Sequence, residues 1–170
     1  GENTARAFRP EGWMGGRPVW RLTLECLQRV TAVRDRVWRA EKSGAAEWLL
    51  DNWYLAQREG RDGAAAFRKA RRLRYIVRDR VRRPLVLELA RAFVWGAGAD
   101  AGPQRLELFL ERAQGAQPLT ERELSLFVPA LKCALVERLD LLCRELNRED
   151  GEEERLSAGM GSVFTALRTL

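Results

Sequence analysis

The chain has 170 residues, 46% of them hydrophobic and 32% charged, and carries a formal net charge of +6. That length and apolar content suit a domain with a core of its own and are too apolar for a disordered chain. There is no histidine, which excludes Ser-His-Asp and Cys-His nucleophile systems, histidine general bases and nearly all catalytic zinc sites.

Residues 1–18 hold Pro10, Gly12, Gly15, Gly16 and Pro18, and read as a mobile leader ahead of one helical domain over 19–170. A first helix over residues 19–42 has the stripe Val19, Leu22, Cys26, Val30, Val33 and Val37, spaced by three and four. After Ser43-Gly44 comes the densest apolar and aromatic stretch, residues 45–55, the helix on which the others are expected to pack. Its angular positions put Ala46, Leu49, Leu50 and Trp53 on one face and Trp48 and Leu55 on the other, beside Asp51 and Asn52. Such a two-sided helix is either surrounded by its own domain or keeps one side for a partner.

Gly60 and Gly63 are expected to end it. A third helix over 64–83 follows, with Phe67, Ala70, Leu73, Val77 and Val81 inward. Residues 68–83 hold nine Arg or Lys and one Asp, a net of +8, so the rest of the chain sums to 6 − 8 = −2. Pro84 opens a fourth helix with Val86, Leu89, Phe93 and Val94 inside. A glycine-rich loop, 96–103, separates it from a short fifth helix starting at Pro103, with Leu106, Phe109, Leu110 and Ala113 inward.

Thr120-x-x-Glu123 is a capping box, in which each side chain satisfies a backbone N–H at a helix start. The sixth helix runs on through Leu124, Val128, Leu131, Leu135, Leu139, Leu142 and Leu146, and Pro129 is expected to kink it. After an acidic turn at 147–154, a seventh helix carries Leu156, Met160, Val163, Leu167 and Leu170. No period-two alternation is long enough to call for a sheet, so the expected fold is all-α, an irregular bundle of six or seven helices. Cys26, Cys133 and Cys143 form no CxxC pair and fall in helical patterns; reduced, buried thiols are expected. The chain begins with Gly1 and stops at Leu170 within a helical pattern, so a piece of a longer protein is expected.

Three segments carry a family resemblance. The stretch 46–55, AEWLLDNWYL, closely resembles the AEWLLDN-aromatic-Tyr motif near the N-terminus of cyclic β-1,2-glucan synthases, bacterial membrane enzymes that build glucan rings from UDP-glucose. Residues 117–124 look like that family's RPLTIGEL, with Pro129 matching its following proline and residues 135–139 its ALIENL. Residues 161–168, GSVFTALR, are similar to the family's GNSITSLR. The likeness runs from about residue 20 to 170. It departs at residues 67–73, which stand where the family often has YRELPKL, without the proline and with more arginine.

The resemblance implies a non-catalytic helical region on the cytoplasmic side of the bacterial inner membrane. Its partners would be the remaining domains of the parent glucosyltransferase, whose transfer site lies beyond residue 170. No catalytic, cofactor-binding or metal-binding residues are expected here. Glu47 and Asp51, one turn apart, are read as solvated or ion-paired rather than as an acid and base. The packing or docking residues are Glu47, Trp48, Asp51, Asn52, Trp53 and Tyr54. Arg71, Arg72, Arg78 and Arg82 are the candidate anion-binding set, either a solvated or internally paired face, or a site for an anionic membrane surface or nucleic acid. The competing reading is a free-standing cytoplasmic adaptor that binds an anionic membrane, nucleic acid or acidic protein through 68–83.

Overall fold

Residues 8–39, 43–97, 101–146, 148 and 152–170 are described in a computed structural model of the chain. In order come β1 (Gly12–Met14), α1 (Arg17–Val37), α2 (Gly44–Arg68), β2 (Leu73–Arg78), β3 (Val81–Pro84) and α3 (Leu85–Ala97). Then follow α4 (Pro103–Ala116), α5 (Glu121–Ser125), α6 (Phe127–Leu146) and α7 (Glu153–Thr169). Among the described residues, seven helices and one small antiparallel sheet, ordered β1-β2-β3, make an all-α bundle with a three-stranded appendage.

The stretch 45–55 lies in α2, which packs on α1, α6 and α7, as a central helix should. It shares the centre with α6, which touches α1, α2, α3 and α7. Ser43 caps α2, its hydroxyl accepting from the Ala46 N–H at 3.2 Å. The buried seam is Ala45, Leu49, Asn52, Ala56, Gly60, Gly63 and Phe67, spaced by four and three. Gly60 and Gly63 therefore do not terminate the helix. They lie in the seam because α6 comes too close for a side chain: a Cβ on Gly63 would stand 2.8 Å from the Pro129 carbonyl oxygen.

The third helix is not formed over 64–83. Its first turns belong to α2, and residues 73–84 are the β2–β3 hairpin, in register Arg78↔Val81 across a two-residue turn. Asp79 (φ 51°) and Arg80 (φ 64°) both hold the left-handed conformation that a tight hairpin turn of this kind requires. A non-glycine residue there costs on the order of 1–2 kcal/mol. Two causes favour the hairpin. A helix would set Arg68 over Arg72, Arg74 over Arg78 and Arg78 over Arg82, like charges one turn apart. Tyr75, Ile76, Val77 and Val81 are strand formers. Residues 12–14 pair with β2, Gly12 opposite Tyr75 and Met14 opposite Leu73, and α1 begins at Arg17. Only residues 1–7 of the expected leader, together with 40–42, 98–100, 147 and 149–151 of the expected helix end, loop and acidic turn, lie outside the described residues.

In the fourth and seventh helices Val86, Leu89, Phe93 and Val94 of α3, and Leu156, Met160, Val163 and Leu167 of α7, are buried as expected, but Pro84 ends β3 instead of opening α3, and Leu170 is only half-buried. The capping box is formed, with both of its hydrogen bonds present. The helix behind it is not continuous. It breaks at Leu126 into α5 and α6, three residues before Pro129, whose missing N–H then falls in the first turn of α6. Leu124 and Val128 consequently leave the inward stripe and are more than a third exposed.

Buried charges join the elements. Glu123 of α5 holds Arg74 of β2, and Glu88 of α3 meets Arg78, Arg83 and Arg91. Asp140 of α6 takes Arg29 of α1 at 3.0 Å, and Lys132 of α6 reaches Glu59 and Asp62 of α2 at 2.9 and 2.7 Å. A buried charge is tolerable only when paired in this way.

Candidate functional site

The residues singled out in 47–54 lie on three sides of α2. Asn52, 3% exposed, is in the seam. Its Nδ2 donates to the Trp48 carbonyl at 3.0 Å, and its Oδ1 accepts from the Arg168 guanidinium of α7. A polar side chain in a core is stable when both ends of its amide are used. Trp48 faces α7, where Gly161 leaves room for the indole: a Cβ at 161 would be 3.2 Å from Trp48 Cζ2. Trp53 turns the other way, to α1. Its Nε1 donates to Thr31 Oγ1 at 3.1 Å, and the Arg34 guanidinium lies 4.2 Å from its ring centroid.

Both indoles are half-buried rather than core, and Leu50 is half-buried beside them; the face expected to hold Leu50 and Trp53 is rotated out by the Asn52 seam. Both sides of the helix are nevertheless occupied within the domain. Trp48→Ala and Trp53→Ala are therefore expected to cost similar amounts, about 2 kcal/mol each for a half-buried large side chain. Urea melts check this. A Trp48→Ala midpoint equal to that of the parent, beside a large fall for Trp53→Ala, would mean that α7 does not cover Trp48.

Glu47, Asp51 and Tyr54 are exposed. The two carboxylates line an open cleft of about 510 Å³ with Gly44, Trp48, Asn52, Ser157 and Arg168. Nearby, Glu153 Oε1 accepts from the Ala45 N–H at 2.8 Å, so the start of α2 is tied to the start of α7. The sequence reading missed Ser157, Glu153 and Arg168, because nothing local to α7 shows which face meets α2. Solvated carboxylates in an open cleft suit polar contacts with a neighbouring surface.

The four arginines expected to bind anions do not form one row. Arg78 is engaged by Glu88 at 3.2 Å. Arg71 and Arg72 precede β2, with Arg72 5.6 Å from the Trp13 ring centroid, and Arg82 lies on β3, 5.0 Å from the Tyr75 ring centroid. Among the described residues the internal partners of the basic segment are Glu123 and Glu88.

All three cysteines are free and buried. Burial pushes the thiols of Cys26, Cys133 and Cys143 up to about 12, so they stay protonated and poorly nucleophilic at neutral pH. Among the described residues no cluster of three or more Cys, Asp or Glu is placed to hold a metal. None of the described helices is long and apolar enough to cross a membrane.

The arrangement defines an all-α bundle with a basic β-hairpin. Comparison with family models, with curated proteins and with solved structures finds no match.

Proposed function

We propose that the chain is the non-catalytic N-terminal helical region of a cyclic β-1,2-glucan synthase-like glucosyltransferase, and that it supports or regulates glucan synthesis from UDP-glucose on the cytoplasmic face of a bacterial membrane. The observation that carries this reading is how the resembling segments meet. Asn52 of the AEWLLDN stretch takes the hydrogen bond from Arg168 of the GSVFTALR stretch, and Trp48 of the first packs on Gly161 of the second. Residues separated by more than a hundred positions are likened to one family independently, and in space they are partners. The Thr and Glu of the 117–124 stretch are likewise the two halves of the formed capping box, and Glu137 of the 135–139 stretch receives Arg91 at 2.7 and 2.8 Å. The resemblance thus falls on the residues that hold one bundle together. That is what a supporting region needs, and the exposed Glu47, Asp51 and Tyr54 are left for the remaining domains of the enzyme.

Two measurements test this. By calorimetry the chain alone should show no binding of UDP-glucose, because its sequence carries no nucleotide-phosphate motif and its described residues offer no carboxylate cluster for a nucleotide-bound metal; micromolar affinity would overturn the non-catalytic reading. Grafted in place of the corresponding region of a cyclic β-1,2-glucan synthase, it should retain glucan synthesis in membranes. A graft that is folded and inserted but inactive, with the native region restoring activity, counts against the family assignment.

A further inference from the structure

The β2–β3 hairpin has a tip that the bundle does not use. Of the nine basic residues in 68–83, three meet carboxylates: Arg74 with Glu123, and Arg78 and Arg83 with Glu88. Arg68, Lys69, Arg71, Arg72, Arg80 and Arg82 are exposed and make no ion pair within the described residues. Val77 and Val81, at 41% and 51% exposed, flank the turn on opposite faces of the hairpin. The apex residue Arg80 holds φ 64°, a conformation glycine or asparagine adopts with less strain, so the turn carries a cation at its tip against the backbone preference.

We propose that this hairpin tip docks on an anionic lipid surface, with Val77 and Val81 at the boundary of headgroups and acyl chains and Arg80 and Arg82 on the lipid phosphates and carboxylates. Charge complementarity selects an anionic partner, because the segment is +8 in a chain whose remainder is −2. The apolar pair selects a bilayer over a nucleic acid: exposed valines gain nothing on a phosphodiester backbone, whereas an interface takes up small apolar side chains between cationic ones. Two aromatic rings lie beside the hairpin, and Trp13 is 55% exposed. Tyr75 lies against Gly12, where a Cβ would be 2.9 Å from its ring, and is met by Arg82; Trp13 is met by Arg72. The inference is independent of the glucan synthase reading, which rests on segments of α2, α5, α6 and α7.

The test is co-sedimentation of the whole chain with vesicles containing phosphatidylserine, with vesicles of phosphatidylcholine alone, and a parallel titration with duplex DNA. The expected result is retention on the phosphatidylserine vesicles alone, weakening as salt is raised. Arg80→Gln with Arg82→Gln should weaken it roughly 30-fold, about fivefold per arginine. Val77→Thr with Val81→Thr, which keep the β-branched shape, should weaken it while leaving its salt dependence unchanged. Unchanged far-UV circular dichroism shows that each variant is folded, and the salt titration of the parent chain needs no variant. Three outcomes overturn the proposal: no retention on phosphatidylserine vesicles, retention that the tip variants leave unchanged, or DNA binding tighter than vesicle binding and indifferent to the valine changes.

Discussion

Glu123→Ala is expected to lower stability by about 3–5 kcal/mol, a large part of the ~5–15 kcal/mol that holds a domain of this kind together. Three contacts end at that carboxylate. Arg74 Nε donates to Oε1 at 2.9 Å, with Nη2 beside it on Oε2, and the Thr120 N–H donates to Oε2 at 2.8 Å. Without it, Arg74 keeps only the Pro118 carbonyl, at 2.7 Å, and its charge stays largely out of water. Glu123→Gln retains the capping geometry and loses the charge, so about half the cost is expected.

Acid should reproduce the effect in the parent chain. Burial opposes ionisation of Glu123, but the hydrogen bonds from Arg74 and Thr120 outweigh it and hold the carboxyl below its ordinary value of 4.5. A depressed folded pKa contributes stability that is present above the unfolded value and lost as pH falls through the folded one. The melting temperature should therefore drop below pH 4.5, less steeply in Glu123→Ala. The slope that persists in the variant includes Glu59, which Lys132 holds below its ordinary value in the same way.

Gly63→Ala should destabilise by about 1–3 kcal/mol even though alanine is the better helix former. Its Cβ would meet the Pro129 carbonyl oxygen at 2.8 Å, Lys132 Cβ at 3.0 Å and Cys133 Sγ at 3.3 Å. Two of those three neighbours are backbone or backbone-proximal and cannot swing away, so α2 and α6 must separate. Gly115 in α4 is the matched control: nothing lies within 4 Å of its Cβ position, and Gly115→Ala should gain about 0.5–1 kcal/mol. Thermal melts should move in opposite directions, by roughly 2–4 °C per kcal/mol for a chain of this size. Two shifts of the same sign would show that α2 and α6 are not in close contact at Gly63.

Periodicity along the chain located helical segments after Pro84, from Thr120 to Leu146 and after Glu152, though not the break at Leu126, and the local chemistry of Thr120 and Glu123 located a helix start; these depend on residues three and four apart and are written in the sequence. The central position of 45–55 was legible for the same reason. Tertiary packing decided the rest. Val77 and Val81 sit at a spacing that serves a helix stripe as well as the two sides of a turn, and only repulsion between stacked arginines, with pairing to Gly12–Met14 far earlier in the chain, settles it as a hairpin. Gly60 and Gly63 read as stops until α6 lies against them, because helix propensity is a local quantity and close approach is not. The partners of Asn52, Glu88 and Glu123 come from distant elements. No pattern in the sequence says which guanidinium will neutralise which carboxylate; the fold determines that by bringing Arg168, Arg78 and Arg74 within reach and leaving Arg80 and Arg82 outside.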